Sequence, residues 1–351
     1  MKKKWMIDLL VLIVLSSIVI WMMPEGANSA QSSEPSKKKV TYTIVIGTSS
    51  VGSSGYTQGV GIANIISKKT PAISVTARPV GGSDANVRAV RDGKVEVAIV
   101  NAVSAVQGLL GMGAYSKEGR APLRLLLQGF LTPRFIVTRK ASRIEKLEDL
   151  QGKTIVGKRP AMADIEAATL AYLEIAGISK EKIKIVETVE TGETIEALKI
   201  GSVDGALLPT TFLSPGFQEL SRTTDVTVPS LTQDQAKKMI EKLGPAFRPM
   251  KVPPGTFKGQ EKEILTIATP MILMARDDLS QDVVYMVVKT LLDNEKDVKA
   301  LHSEAQYWTL ENTLESPPLP FHGGVEKLLK EKGAWTPNLD GWQKKALAES
   351  K

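Results

Sequence analysis

The first residues with chemical potential form one hydroxyl-rich and glycine-rich run, Gly47-Thr48-Ser49-Ser50-Val51-Gly52-Ser53-Ser54-Gly55-Tyr56. It follows the β-branched run Thr43 to Ile46 and leads into a helical pattern. Backbone N–H groups at such a helix start, helped by the Thr48, Ser49, Ser53 and Ser54 hydroxyls, suit a carboxylate or a phosphate. Gly55 allows close approach, with Tyr56 beside it. The same residues equally suit a solvent loop with an ordinary serine cap. They do not form a dinucleotide fingerprint: the G-x-G here is Gly59-Val60-Gly61, inside the helical pattern, with Asn64 where a third glycine belongs.

Other strand ends carry further candidates. Arg78, followed by Gly82 and Ser83, closes a second strand, and an arginine placed there can grip a carboxylate through two parallel hydrogen bonds. Arg159 stands at a comparable place further on; either arginine equally suits an ordinary exposed position. Asn101, Thr210 and Thr211 follow two more strands. Asp84 is expected to cap a helix over residues 85–90.

Catalytic chemistry finds little support. The chain has two histidines, His302 and His322, both late and in no metal-binding or nucleophile spacing, and no cysteine, which removes thiol catalysis and thiolate metal sites. Carboxylate pairs such as Glu148-Asp149 read as solvated. No catalytic residue, metal, cofactor or nucleic-acid partner is expected.

The elements that must position these loops come from a pattern that occurs twice. Residues 89–100 (AVRDGKVEVAIV) match residues 197–208 (ALKIGSVDGALL) position by position in residue class. Each copy reads as a helix end, a glycine stop and a buried strand. Upstream of each stands a short β-branched run ending in glycine, Thr43 to Gly47 and Thr154 to Gly157, followed by helical spacing over 59–68 and 164–176. Strands alternating with helices require parallel pairing with helices on the faces, and two copies imply two lobes. Ligands in open parallel sheets bind beyond the carboxyl ends of the strands, where the candidate loops lie. A strand over 265–275, an amphipathic helix through Tyr285, Val288 and Leu292, and a last helix over 325–332 complete the reading.

At 351 residues and 42% apolar content the chain has room for two ordinary lobes. Residues 1–30 read as an export signal or an N-terminal anchor: Lys2 to Lys4 are basic, Leu9 to Met23 is apolar apart from two serines, and Ala27 to Ala30 offers small residues for cleavage. The apolar run spans about 22 Å of helix against a hydrocarbon core of about 30 Å, which favours cleavage. Residues 31–39 read as a tether, 40–132 as the first part of lobe I, 133–264 as lobe II, and 265–351 as a hinge return with the rest of lobe I. The net charge of +7 suits an anionic ligand in a focused cleft, or simply a soluble surface.

Several motifs in order resemble the TAXI group, the TRAP-associated extracytoplasmic solute receptors. Residues 47–63 (GTSSVGSSGYTQGVGIA) are similar to that group's opening, and Gly81-Gly82-Ser83-Asp84-Ala85-Asn86 to its TGGSxxN segment. Residues 144–153 (IEKLEDLQGK) resemble the approach to the second lobe in type II periplasmic binding proteins, and 253–257 and 320–324 resemble late segments of the same receptors. The resemblance covers about residues 40–335. It implies an α/β, two-lobed periplasmic-binding-protein type II fold, each lobe a mostly parallel sheet flanked by helices. It also implies a receptor outside the cytoplasm that closes by hinge motion on a small organic anion, usually a carboxylate, and delivers it to TRAP-type permease subunits. Membrane association would run only through an uncleaved N-terminal segment. An enzyme on the same fold acting on a small anion, or a ligand sensor without a permease, are the alternatives.

The departures from the group concern the ligand. Gly55 replaces the first of two tyrosines, Val80 a threonine and Val103 an aspartate. Arg159-Pro160-Ala161-Met162-Ala163 stands where the group has a Gly-Ser-Gly-Thr helix start. Pro160 has no N–H, and Ala161 and Met162 have no hydroxyl, so polar contacts vanish together. The expected ligand is therefore a larger or less polar anion than glutamate, with Arg78 or Arg159 replacing the lost donors.

Overall fold

A computed structural model describes residues 42–350. The expected signal or anchor and the tether lie outside the described residues. Among the described residues no helix is long and apolar enough to cross a membrane.

The first parallel core consists of β1 (Tyr42–Ser49), β2 (Ile73–Gly81) and β3 (Val97–Asn101), with β1 paired to both others. The second repeats it with β5 (Thr154–Lys158), β6 (Lys184–Glu187) and β7 (Gly205–Leu208), where β5 pairs with both others. Two long strands join the cores: β4 (Leu123–Arg139) and β10 (Ile264–Arg276) run antiparallel to each other. The order is β2-β1-β3-β10-β4-β7-β5-β6, with β8 (Val226–Thr227) on β4 and β9 (Arg248–Val252) on β10.

The sheet is thus mixed, an α/β architecture of two halves. β4 exchanges β10 for β7 between Arg134 and Phe135, and β10 exchanges β9 for β3 between Ala268 and Met271. Pro133 and Pro270 lie in this crossing, opposite Ala268 and Leu131. Neither proline has an N–H to give the ladder, so hydrogen bonding thins where the ribbon passes from one half to the other.

The twofold pattern explains the local structure. Gly93 and Gly201, the stops of the two copies, have φ of +68° and +75°, a left-handed turn that a Cβ would strain. The strands that follow, β3 and β7, are wholly buried, as continuous apolar runs in a parallel sheet should be. Helices α1 (Ser54–Lys69), α2 (Ser83–Arg91) and α3 (Ala102–Leu110) serve the first half. The second half has α4 (Ala163–Ile175), α5 (Thr191–Ile200), α6 (Pro215–Thr223) and α7 (Gln233–Leu243). The chain then returns through β10 to α8 (Gln281–Asp293) and the C-terminal helices over the first half.

Each half has its own core. Ile46, Ile99, Leu273 and Val287 meet in the first, and Phe135, Phe212, Phe217 and Phe257 form an aromatic group in the second, with Phe135 and Phe212 stacked at 4.1 Å. Burying each such side chain contributes about 1.5–3 kcal/mol.

Three local expectations need correction. The first helix starts at Ser54, five residues before the expected start, because Ser53 caps it by accepting the Tyr56 amide at 3.2 Å. Asp84 does not cap its own helix: Gly82 holds that position without a side-chain bond, and the Asp84 carboxylate points elsewhere. The helix over 323–331 is followed by another, Pro337–Glu349, capped by Thr336.

Candidate functional site

Where the two halves face each other, a cavity of about 30 Å³ is lined from both sides. The first half brings Ser49 at the end of β1, Ser53, Ser54 and Gly55 around the start of α1, and Ser83 at the start of α2. The second brings Arg159 from the turn after β5, Met162 before α4, Thr191 at the start of α5, and Pro209, Thr210 and Thr211 after β7. Phe130, Thr132, Arg134 and Met271 reach it from the crossing ribbon. The walls are therefore carboxyl ends of strands and amino ends of helices, as expected for this architecture.

The expected residues divide into three groups. Ser49, Ser53, Ser54, Gly55, Ser83, Arg159, Thr210 and Thr211 line the cavity. Thr48, Asn101 and Gly82 lie behind it. Thr48 is fully buried and its hydroxyl donates to the Arg78 carbonyl at 3.2 Å. The Asn101 side-chain oxygen caps α3 by accepting the Ser104 amide at 2.8 Å, while the Asn101 backbone N–H donates to Ser83 Oγ at 3.0 Å. Gly82 packs against Ala161 and Met162 of the other half. Tyr56 and Arg78 are not among the lining residues; Arg78 is exposed and donates to the Lys94 carbonyl at 2.5 Å. A strand end faces two ways, and the arginine at the end of edge strand β2 turns to solvent.

Arg134, unforeseen as a site residue, changes the electrostatics. It is the one charge within the apolar stretch 125–137, which was a readable signal. Its Nε donates to Asp164 Oδ2 at 2.7 Å, Nη1 bonds to the Thr132 and Pro133 carbonyls, and Nη2 has no partner. Arg159 differs. It is 5% exposed, and its guanidinium hydrogen-bonds to neutral groups, the Val189 carbonyl at 2.8 Å, the Thr191 hydroxyl at 3.1 Å and the Met162 sulfur, with the Glu190 and Glu193 carboxylates acting on it from further away. Its Nη2 is also unpartnered, and burial pushes its pKa down to about 10. Thr132 Oγ1 is a third unpartnered polar atom on the same wall. Buried polar atoms are normally satisfied, so three lining one cavity mark a place for a hydrogen-bonding guest. Asp164 pairs directly with Arg134, whereas Arg159 has no carboxylate in hydrogen-bond contact.

Two sets of hydrogen bonds cross between the halves. Ser54 Oγ and Thr211 Oγ1 lie 3.1 Å apart, and Thr211 donates to Glu304 Oε2 at 2.9 Å. Burial raises the Glu304 pKa to about 7, although these hydroxyl bonds act the other way. On the other flank the Asp84 carboxylate accepts the Ala163 amide at 2.7 Å.

A model of the NMT1-like family matches residues 46–333, and the chain belongs to that family. The narrower resemblance to TAXI receptors rests on the motifs quoted above. Among solved structures, the alkanesulfonate-binding protein SsuA from Xanthomonas axonopodis pv. citri, bound to MOPS, is 14% identical, with 87% of this chain and 94% of that one covered and a TM-score of 0.45. A putative L-cystine ABC transporter from Listeria monocytogenes is 15% identical over 76% of this chain and 95% of that one, with a TM-score of 0.47. The periplasmic aliphatic sulphonate binding protein SsuA from Escherichia coli is 14% identical over 83% and 90%, with a TM-score of 0.46.

Proposed function

We propose that this protein is a non-catalytic solute receptor that captures a small organic monoanion between its two halves, with the anionic group on Arg159. The carrying observation is the Arg159 guanidinium, buried in the wall of the interlobe cavity with hydrogen bonds to neutral partners alone and Nη2 free. A buried charge with no directly bonded counter-ion is costly, and an anionic guest lowers that cost. Thr132 and Arg134 supply further donors toward its oxygens. A carboxylate suits the planar donor fork.

A cavity of about 30 Å³ holds a water or two, so an organic anion enters only after the halves part. The paired prolines, which thin the hydrogen bonding of the ribbon, support a hinge at the crossing. Delivery to a TRAP-type permease and a location outside the cytoplasm follow from the motif resemblance and from the basic and apolar N-terminal residues.

A thermal-shift and calorimetric screen of carboxylates tests the reading. Monocarboxylates bulkier than glutamate stabilise the protein, by about 2.7 kcal/mol at a hundredfold excess over Kd, and Arg159→Met cuts this to about 0.4–1.4 kcal/mol at the same concentration. Strong binding of glutamate with none of the bulkier acids, or binding indifferent to Arg159→Met, would overturn it.

A further inference from the structure

The carboxylate of Asp84 leaves the helix that carries it. Asp84 stands in the first turn of α2, yet its Oδ2 accepts the amide of Ala163, the first residue of α4 in the other half, at 2.7 Å. Its own amide donates to the Ala161 carbonyl at 3.2 Å. Tyr115 Oη donates to Oδ1 at 3.0 Å and steadies the carboxylate from the first half. The residue is 1% exposed. Helix α4 has no cap of its own: Met162 at the N-cap position makes no side-chain bond, and Pro160 and Ala161 carry no side-chain oxygen. The start of a helix attracts negative charge through its free N–H groups; α4 has Asp164 and Glu166 in its own first turn, but Asp164 is engaged by Arg134, and the Ala163 N–H goes to a carboxylate from across the cleft.

We propose that Asp84 is a tethered carboxylate clasp, which fills the anion position at the start of α4 and draws the two halves together by a contact internal to the chain. A local cap would serve α4 equally well without joining anything. This one links elements whose only continuous connection is the β4–β10 ribbon, and Gly82 permits it by letting α2 approach the Ala161 carbonyl. Two consequences for the site follow, and both rest on the receptor reading above. The ligand is left the arginine side of the cavity, because the helix start is occupied. The clasp must also release before a ligand enters, so opening limits the rate of capture.

The chain has no cysteine, so Val51→Cys and Val189→Cys, both at exposed positions on opposite halves, give a unique pair of sites for fluorescent labels. In the doubly labelled protein without added ligand, Asp84→Ala lowers energy transfer, whereas Tyr115→Phe, which spares the Ala163 bond, leaves it unchanged. Sodium formate, the group deleted by Asp84→Ala, restores transfer in that variant and sodium chloride at equal ionic strength does not. Formate acts equally in Asp84→Ala combined with Arg159→Met, which separates the clasp from the ligand position on Arg159. Unchanged transfer in Asp84→Ala overturns the proposal, as does a loss that formate fails to reverse. Failure of the carboxylate screen with formate rescue intact would instead overturn the receptor reading alone.

Discussion

Arg134 Nε donates to Asp164 Oδ2 at 2.7 Å, and solvent reaches almost nothing of either side chain. The arginine comes from the ribbon that crosses both halves and the aspartate from the first turn of α4, so the pair ties that helix to the crossing strand β4. Removing one member leaves the other charged and buried. Asp164→Asn is therefore expected to destabilise the protein by about 3–5 kcal/mol, whereas replacing both with apolar residues of similar volume is neutral or stabilising by about 1–4 kcal/mol. Urea titration with linear extrapolation reads both values. An unshifted midpoint for Asp164→Asn would contradict the buried pairing.

Arg159 predicts the opposite combination. Its bonds go to neutral partners and burial holds its pKa down, so Arg159→Met relieves a desolvated charge, and the ligand-free protein is expected to gain stability or keep it. Anion affinity falls by about 1.5–3 kcal/mol, roughly ten- to hundredfold, the value of a hydrogen bond to a charged group. Calorimetry beside thermal melting gives the two numbers, and parallel loss of stability and affinity would show a purely structural role.

Glu304 gives a pH dependence with a definite sign. Burial holds its folded pKa at about 7, above the ordinary carboxyl value of 4.5, so the folded state binds the proton more tightly than the unfolded state. Its contribution to stability is full below about pH 4.5 and is lost as pH rises to about 7. His302 Nδ1, 3.5 Å from the carboxylate, has its own pKa lowered by burial and gives little counter-charge near neutrality. Glu304→Gln should flatten the melting temperature across that window relative to the unaltered protein. Identical slopes would remove Glu304 as their source.

Gly82 is a steric prediction. A Cβ there would lie 2.5 Å from the Ala161 carbonyl oxygen and 2.7 Å from Met162 Cγ, both in the other half. The backbone at Gly82 is extended and accepts any residue, so the cost of Gly82→Ala falls on closure rather than on local conformation. Capture weakens in proportion to the loss of the closed fraction, about tenfold if one molecule in ten remains closed. Small-angle scattering measures the accompanying expansion, and an unexpanded variant of full affinity would contradict the contact.

Much of this architecture is legible from periodicity. The glycine stops at 93 and 201, with the apolar runs after them, announce two equivalent units, and the hydroxyl run from Thr48 to Ser54 marks a wall of the cleft. Arg78 shows the limit: sequence places a side chain at a strand end but not the face it turns toward, and β2 is an edge strand. Arg134 was readable as one charge inside an apolar strand, yet nothing local reveals that Asp164, thirty residues on, balances it. Asp84 looks like any helix-start aspartate, and its partner is fixed only when α4 arrives from the other half. The C-terminal helix carried a Thr336-Pro337 start signal of its own, an available sign that went unused.

The position of β10 bears on how the chain reaches this state. It lies between β3 and β4, strands made more than a hundred residues earlier, and it also carries β9 of the other half. Until residue 276 is synthesised, β3 and β4 each keep a bare edge, and the first core lacks Leu273 and its neighbours. The second half needs β10 only as far as Ala268, whereas the first also needs Met271 onward and the helices that follow, so a growing chain finishes the second half first, and pairing across such distances is slow. A late-completed strand of this kind leaves the first half, although it begins the chain, open until the end of the chain is made.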